Sequence, residues 1–467
     1  MRPNILLFFP DQLRPDWVGP ANIGGAITPA IDRLMAHGTT FRNAICPSPI
    51  CAPSRACLAT GYEFDRSSVP DNRYSVGLDE PNFYRQLAAA GYAVLTCGKA
   101  DLLKGDFGWG QDGQHDDNGQ SRLKALGFTG GLDSGGKHAV IVAHDRGKAE
   151  PYLHFLQERG LASAHVEDFA ARTKKPGDAA PGATYLNTDP TPLPDDAYQD
   201  GWIGRCGHDL IENACDQTAP WFLQVNFAGP HEPMDITRTM AASVADRRPP
   251  MPAMWNGEDA AVHTAIRRCY TAMVENIDRI LGTYVDLLES KNQLDNTIII
   301  FASDHGEMLG DCGLWEKSLP HQKSIGVPLI FMGPGIEKAR ASDGPASIID
   351  LHATILELAE ADVLAGVDSR SMCATLADAS IRYRDIVFSG LGKWRIAFDG
   401  RYKLVSGYVH AESRNQFEDP AIDPKTLSHA RLIDTHNDQC ETSDVSALYP
   451  AIAARLLGAL KHNIMRS

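Results

Sequence analysis

The feature that most constrains this 467-residue chain is a series of short apolar runs that do not alternate with polar residues. Residues 5–9 (ILLFF), 93–96, 139–143, 221–227, 297–302 and 328–332 are apolar over most of their length, without a regular polar alternation. A strand built that way must be covered on both faces, which is the habit of parallel sheets. Helical patterns lie between the runs. Thr28-Pro29 offers an N-cap and a first-turn residue, Ile31, Leu34 and Met35 give an apolar stripe, and Gly38 closes the segment. Over residues 263–289, Ile266, Tyr270, Met273, Val274, Ile277, Ile280, Leu281 and Leu288 recur at helical spacing, a stripe that reads as core packing. This alternation predicts a doubly wound α/β fold, a mostly parallel sheet flanked by helices.

After about Arg382 the pattern changes. Residues 394–398 and 401–405 flank Asp399-Gly400, a turn pair that predicts an antiparallel hairpin. A last helix follows Pro450, with Ile452, Leu456, Leu457 and Leu460 on one side. The expected organisation is therefore a larger α/β unit over 1–381 and a smaller C-terminal α+β subdomain with an antiparallel sheet over 382–467. Residues 101–200 are rich in Gly, Asp and His and weakly periodic, and read as a set of loops near the site.

Charge and cysteine usage narrow the function class. A net charge of −15 argues against nucleic acid or an anionic membrane as partner. An anionic substrate would then need local cations or a metal. No apolar run is long enough to cross a bilayer. The opening MRPNILLFFPDQ reads as a first buried strand and not as a leader, so a cytoplasmic location is expected. Ten cysteines at irregular spacing, with no CxxC pair, lead to an expectation of reduced thiols.

One cysteine has a distinctive setting. Cys51-Ala52-Pro53-Ser54-Arg55 lies in a Pro/Ser-rich loop just before an apolar helical start at 56–59. A helix N-terminus favours anions, and a thiol there with Arg55 one turn on suits a nucleophile of lowered pKa. Two strand ends carry further donors: Asp11-Gln12 after the first run, and Asp304-His305 after residues 297–302. Oxygen and imidazole ligands of this kind suit a divalent cation. His231 lies between prolines after residues 221–227, with a pKa range suited to general acid work. Lys317 and Lys99 are isolated cations, and either one alone would read as a surface residue.

Together these segments resemble the formylglycine-dependent sulfatases of the alkaline-phosphatase-like superfamily. Cys-X-Pro-Ser-Arg is similar to their maturation signature, and the other segments follow in the family's order along nearly the whole chain. The resemblance implies that Cys51 is converted to formylglycine by a formylglycine-generating or other sulfatase-maturing enzyme. It implies a metal held by Asp11, Gln12, residue 51, Asp304 and His305, with Ca²⁺ favoured and Mn²⁺ or Mg²⁺ left open by Gln12 and His305. Arg55, Lys99 and Lys317 would bind the sulfuryl oxygens, and His231 would sit beside the leaving oxygen as proton donor. Two departures stand out. Gln12 replaces a frequent second Asp, which also resembles phosphonate monoester hydrolases and choline-sulfatase-like members. Asp101 replaces the His of a Gly-Lys-X-His pattern; it either holds Lys99, meets a cationic part of the substrate, or has lost the role. The expected activity is hydrolysis of a small sulfate ester. Phosphonate monoester or phosphodiester hydrolysis by the same site is the alternative, and a non-catalytic anion binder the second. A homo-oligomer remains open on sequence grounds.

Overall fold

The computed structural model describes residues 2–20, 22–173, 183–408, 426–427 and 429–466. Its strands in chain order are β1 Asn4–Phe9, β2 Gly38–Ile45, β3 Ala93–Gly98, β4 Asp116–Asp117, β5 Gln120–Ser121, β6 Gly130–Gly131, β7 Trp221–Asn226, β8 Thr297–Ala302, β9 Leu329–Met332, β10 Arg340–Ser347, β11 Val387–Leu391, β12 Trp394–Phe398, β13 Tyr402–Ser406 and β14 Arg431–Asp434. The main sheet runs β10-β2-β9-β8-β1-β7-β3-β6. Only β9 runs against its neighbours; the other pairs are parallel. The non-alternating runs explain this arrangement. Along β1, Ile5, Leu7 and Phe9 enter one core while Leu6 and Phe8 enter the other. β8 divides the same way, with Ile298 and Ile300 on one face and Ile299 and Phe301 on the other. Truncating Phe8 to Ala would cost about 3–5 kcal/mol through the cavity left behind.

β8, β1, β7 and β3 are consecutive and parallel, so their C-terminal ends open onto one edge of the sheet. Ligand sites of open α/β sheets form at that edge. Asp11, His231, Asp304 and Lys99 all follow these four ends. Helix α1 (Pro29–Ala36) precedes β2, and α2 (Cys51–Thr60) follows it. Gly61 closes α2 with φ 74°, its N–H donating to the Cys57 carbonyl, a conformation only glycine adopts at little cost. The long helix spans Ala260–Ser290 and turns its apolar stripe into the second core. No helix of the described residues is long and apolar enough to cross a membrane.

Several expectations need correction. Residues 139–143 lie in a helix, Lys137–Asp145, because their apolar positions cover one face of a short amphipathic turn and pair with no sheet neighbour. Within 101–200 loops are interrupted by helices, among them Pro151–Glu158 and Ala162–Arg172, whose short stripes the Gly and Asp content hid. Residues 174–182 of that stretch lie outside the described residues. β2 and β10 escaped the apolar-run criterion because they carry polar residues. Helix α2 begins at Cys51 itself and not at Ala56. Thr28 does not cap α1 with its side chain; its hydroxyl accepts from the Gly19 N–H and donates to Asp32. Finally, the thiols are not all reduced: Cys312 and Cys440 form a disulfide across 128 residues.

β11-β12-β13-β14 form the antiparallel sheet, with β12 and β13 turning at Asp399-Gly400, and the helix Pro450–Met465 packs on it. Trp394, Ile396 and Phe398 also belong to the core that holds Ile5 and Phe9. The antiparallel sheet therefore shares a core with the main sheet.

Candidate active site

Cys51 is the first residue of α2, 1% exposed, and its Sγ lies at the centre of the strand-end cluster. It stands 3.3 Å from Lys99 Nζ, 3.4 Å from His305 Nε2 and 3.9 Å from Asp11 Oδ1. The start of α2 is fixed by Asn72, whose Oδ1 accepts from the Ala52 N–H, and by Ser54, whose hydroxyl donates to the Asp304 carbonyl. Arg55, one turn on, is fully engaged. Its Nε donates to Asp304 Oδ2 at 2.9 Å and its Nη2 to Asp11 Oδ2 at 3.2 Å. Its Nη1 donates to the Lys99 carbonyl and to Asn226 Oδ1. Burying this much charge is tolerable only because each group is paired.

Asp11, Cys51, Asp304 and His305 each offer a donor atom, and these atoms lie within 4.8 Å of one another. The arrangement fits a divalent cation on two counts. Asp11 and Asp304 are two buried carboxylates side by side; burial and the charge of Asp11 raise the Asp304 carboxyl. Nδ1 of His305 faces the Gly306 carbonyl at 3.0 Å, so Nδ1 carries a proton and Nε2 turns toward Asp11 and Asp304. A backbone carbonyl holding the far nitrogen is the usual support of a metal-ligating histidine. Burial opposes charging of this ring, but Asp304, Cys51 and Asp11 raise it to about 9. Burial and Asp11 would push the Cys51 thiol up; Lys99, Lys104 and His305 outweigh them and hold it well below the ordinary range.

A second group lies beside this one. Lys317 Nζ contacts Gln12 Oε1 and His231 Nε2, and stands 3.8 Å from Glu232 Oε2. His231 Nδ1 donates to the Glu232 carbonyl at 2.7 Å, leaving Nε2 to face Lys317. The Gln12 backbone N–H donates to Asp304 Oδ1 at 3.0 Å, but its carboxamide turns away from Asp11 and Asp304. Its Nε2 donates to Glu232 Oε2 at 2.8 Å and contacts Glu307 and Tyr185. Lys317 is flanked by Glu316 and Ser318 at φ 64° and 75°, left-handed conformations that a non-glycine residue adopts only under constraint. Burial alone would lower the Lys317 ammonium; Glu232, Cys51 and Asp11 raise it instead, so it stays charged.

All ten residues singled out from the sequence are brought to this one edge, in two adjoining groups. Asp101 is buried, with Oδ2 2.6 Å from Lys104 Nζ and 3.5 Å from Lys99 Nζ. Four neighbours were missed. Glu232 lies inside the Pro-His-X-Pro segment, and Glu307 lies three residues after Asp304, where it reads as a capping residue. Glu307 is buried, and burial with the charge of Glu232 raises its carboxyl to about 7. Tyr185, whose hydroxyl donates to Glu307 Oε2 at 2.9 Å, and Lys104 carry no local signal at all.

Residues 3–149 and 153–361 match the family model described as Sulfatase. An arylsulfatase of Clostridium perfringens is 25% identical, over 92% of this chain and 90% of its own length. A choline-sulfatase of Rhizobium meliloti is 27% identical, over 77% of this chain and 68% of its own. Among solved structures, a phosphonate monoester hydrolase of Silicibacter pomeroyi superposes with a TM-score of 0.75 at 22% identity, covering 99% of this chain and 94% of that one. At that identity the likeness speaks for the fold.

Proposed function

Because the chain belongs to the sulfatase family, we propose that it hydrolyses a small sulfate ester to an alcohol and sulfate from residue 51. The observation that carries this reading is the placement of Cys51 at a helix start within contact distance of Lys99 and His305, beside Asp11 and Asp304. A sulfatase enzyme of this family implies formylglycine at position 51 and a metal ion. We assign the metal to Asp11, Asp304, His305 and an oxygen on residue 51; the Gln12 carboxamide, a ligand by the resemblance, is engaged by Lys317, Glu232 and Glu307 and borders the site instead. Ca²⁺ is the proposed ion, with Mn²⁺ and Mg²⁺ as the alternatives that His305 allows. Together the ion and the modified residue would supply fixed positive charge, an activated hydroxyl for attack on sulfur and a second hydroxyl for release.

The chain's own residues do the rest. Arg55 and Lys99 present charge to the sulfuryl oxygens on the nucleophile side, and Lys317 on the other. The His231 ring is held by its Nδ1 donation to the Glu232 carbonyl, so Nε2 is the atom that exchanges a proton. In the free protein Lys317 donates to that atom. We assign proton delivery to the leaving alkoxide to His231, through the Nε2 that Lys317 faces, and keep Lys317 as fixed charge. Asp101 faces two lysines, Lys104 at 2.6 Å and Lys99 at 3.5 Å, which weighs against contact with a cationic substrate.

Catalysis is assigned to residues 1–381. Residues 382–467 support the Lys317 loop: Lys403 Nζ donates to the Pro320 carbonyl at 2.6 Å and Trp394 Nε1 to Ser318 at 3.2 Å. A sulfatase-maturing enzyme is the proposed protein partner. The Cys312–Cys440 bond weighs against the cytoplasmic location expected from the sequence, since reducing compartments keep thiols free. Phosphonate monoester hydrolysis is the second reading, supported by the Asp-Gln and Asp-His pairs. Parallel kcat/KM values on a nitrophenyl sulfate and a nitrophenyl phosphonate separate the two. A preference for the phosphonate would overturn the first.

A further inference from the structure

Beyond the end of β3 lies a lysine, Lys104, that the reaction as described does not use. Lys99 Nζ has three neighbours: it contacts Asp11 Oδ2, lies 3.3 Å from Cys51 Sγ, and lies 3.5 Å from Asp101 Oδ2. Asp101 Oδ2 is closer to a different lysine, Lys104, at 2.6 Å. Asp101 Oδ1 is buried with no hydrogen-bond partner. The carboxylate therefore depends on these two ammonium groups, and Lys104 is the stronger partner.

The turn that sets these distances has little freedom. Gly98 has φ 82°, and a Cβ there would come within 2.0 Å of the Asn226 carbonyl oxygen. Asp101 itself sits at φ 54°. Between them the Ala100 N–H donates to Asp133 Oδ1 at 2.9 Å, and Asp133 Oδ2 is held by His115 Nε2 at 2.7 Å, both residues being buried. Lys104 opens a short 3₁₀ turn, Lys104–Asp106. Gly105 fits that turn against the Arg73 carbonyl, which a Cβ would approach to 2.4 Å. Lys104 is thus brought inward by its backbone, and its side chain is only 13% exposed.

A buried carboxylate with a single ammonium neighbour would draw that neighbour onto itself, because an unpaired buried charge is costly. If Lys104 were absent, Asp101 would compete with residue 51 and Asp11 for Lys99. We propose that Lys104 is a positioning residue: by pairing with Asp101 it keeps Lys99 Nζ directed at residue 51. The inference rests on the sulfatase reading only for what Lys99 is directed toward; the charge balance stands on the array itself.

The test is a double-variant cycle on the full chain, with Lys104→Met, Asp101→Asn, the double variant and Lys104→Arg. Steady-state kinetics of the matured enzyme on nitrophenyl sulfate should show Lys104→Met lowering kcat by roughly 10- to 100-fold with KM within about two-fold, as expected for a small misplacement of a reacting group. Lys104→Arg should recover most of that loss. The double variant should lose less than the product of the two single losses, since removing both charges leaves none unpaired. The unfolding midpoint of the Cys51 form, which needs no maturation, should follow the same cycle, lowered in each single variant and partly restored in the double. Multiplicative kinetic losses, no recovery with Arg, or no restoration of the midpoint would each overturn the pairing. A wild-type enzyme inactive on every ester would instead overturn the sulfatase reading, and the midpoint cycle would still decide whether the pair exists.

Discussion

The two halves of the site are built on different principles. On the nucleophile side, Asp11, Lys99, Asp304 and His305 follow the ends of adjacent parallel strands, and Cys51 and Arg55 share the first turn of α2. Backbone registry sets their distances, and strongly paired charges hold them. On the opposite side, His231 and Glu232 lie further along the connection after β7, Glu307 beyond Asp304, Tyr185 at the end of a 3₁₀ turn and Lys317 in a loop; Lys317, Glu232, Glu307 and Tyr185 meet at the carboxamide of Gln12, and His231 joins them through Lys317. Their positions depend on side-chain hydrogen bonds and on constrained backbone at Glu316 and Ser318. The first half has the backbone-set geometry that the proposed attack and metal binding require; the second rests on side-chain contacts, on the side proposed for the leaving group. Parallel strands fix chemistry, and loops tune it.

The sharpest way to break this contrast is at residue 51. Cys51→Ala should abolish turnover on every ester while leaving the unfolding midpoint close to wild type, and full activity from the alanine variant would refute the assignment. Next in size, Asp304→Asn should cost several kcal/mol of transition-state stabilisation, since it weakens the proposed metal site and the hold on Arg55 together. The loss should be the same factor for alkyl and nitrophenyl sulfates, and dialysis against a chelator should mimic it until Ca²⁺, Mn²⁺ or Mg²⁺ is returned. If Asp11 and Asp304 variants lose activity without any change in metal content, the shared metal site is wrong.

The loop half should behave differently. His231→Ala should cost roughly 2–4 kcal/mol on an alkyl sulfate, the typical loss of one well-placed donor, and far less on a nitrophenyl sulfate whose oxide departs unaided. Lys317→Ala should damage both, because charge develops on the sulfuryl oxygens in either case. An equal loss at every leaving-group pKa for His231→Ala would move the acid role to Lys317 or water. The smallest effect on catalysis should come from Cys312→Ser. Its bond closes a loop of 128 residues, and losing it should lower stability by about 4–5 kcal/mol on the chain-entropy account while kcat falls by less than about three-fold. A chemical denaturation series on both forms checks this.

The contrast also explains what the sequence disclosed. After their first residue the strands β1 and β8 are apolar at every position, so the parallel sheet and its open edge could be read directly, and with them the meeting of Asp11 and Asp304, distant in sequence. β2 and β10 were missed because strands near the sheet's margin tolerate polar residues. Residues 139–143 were misread because five apolar residues fit a strand and a helix equally well. Glu232 and Glu307 were not singled out because a carboxylate in a loop usually caps a turn; only tertiary packing turns both toward Gln12. Lys104 and Tyr185 have no spacing signal, since their approach depends on turns held by distant backbone. The disulfide was unreadable for the same reason: two cysteines 128 residues apart carry no pattern.

The measurement that bears most directly on the central claim is the mass of the peptide containing Cys51, taken from protein made with a sulfatase-maturing enzyme and assayed in the same preparations for sulfate-ester hydrolysis. The account predicts that residue 51 has lost its sulfur and gained an aldehyde oxygen, that it resists thiol alkylation, and that activity rises in proportion to the converted fraction. An intact, alkylatable Cys51 in protein that hydrolyses sulfate esters at full rate would contradict it.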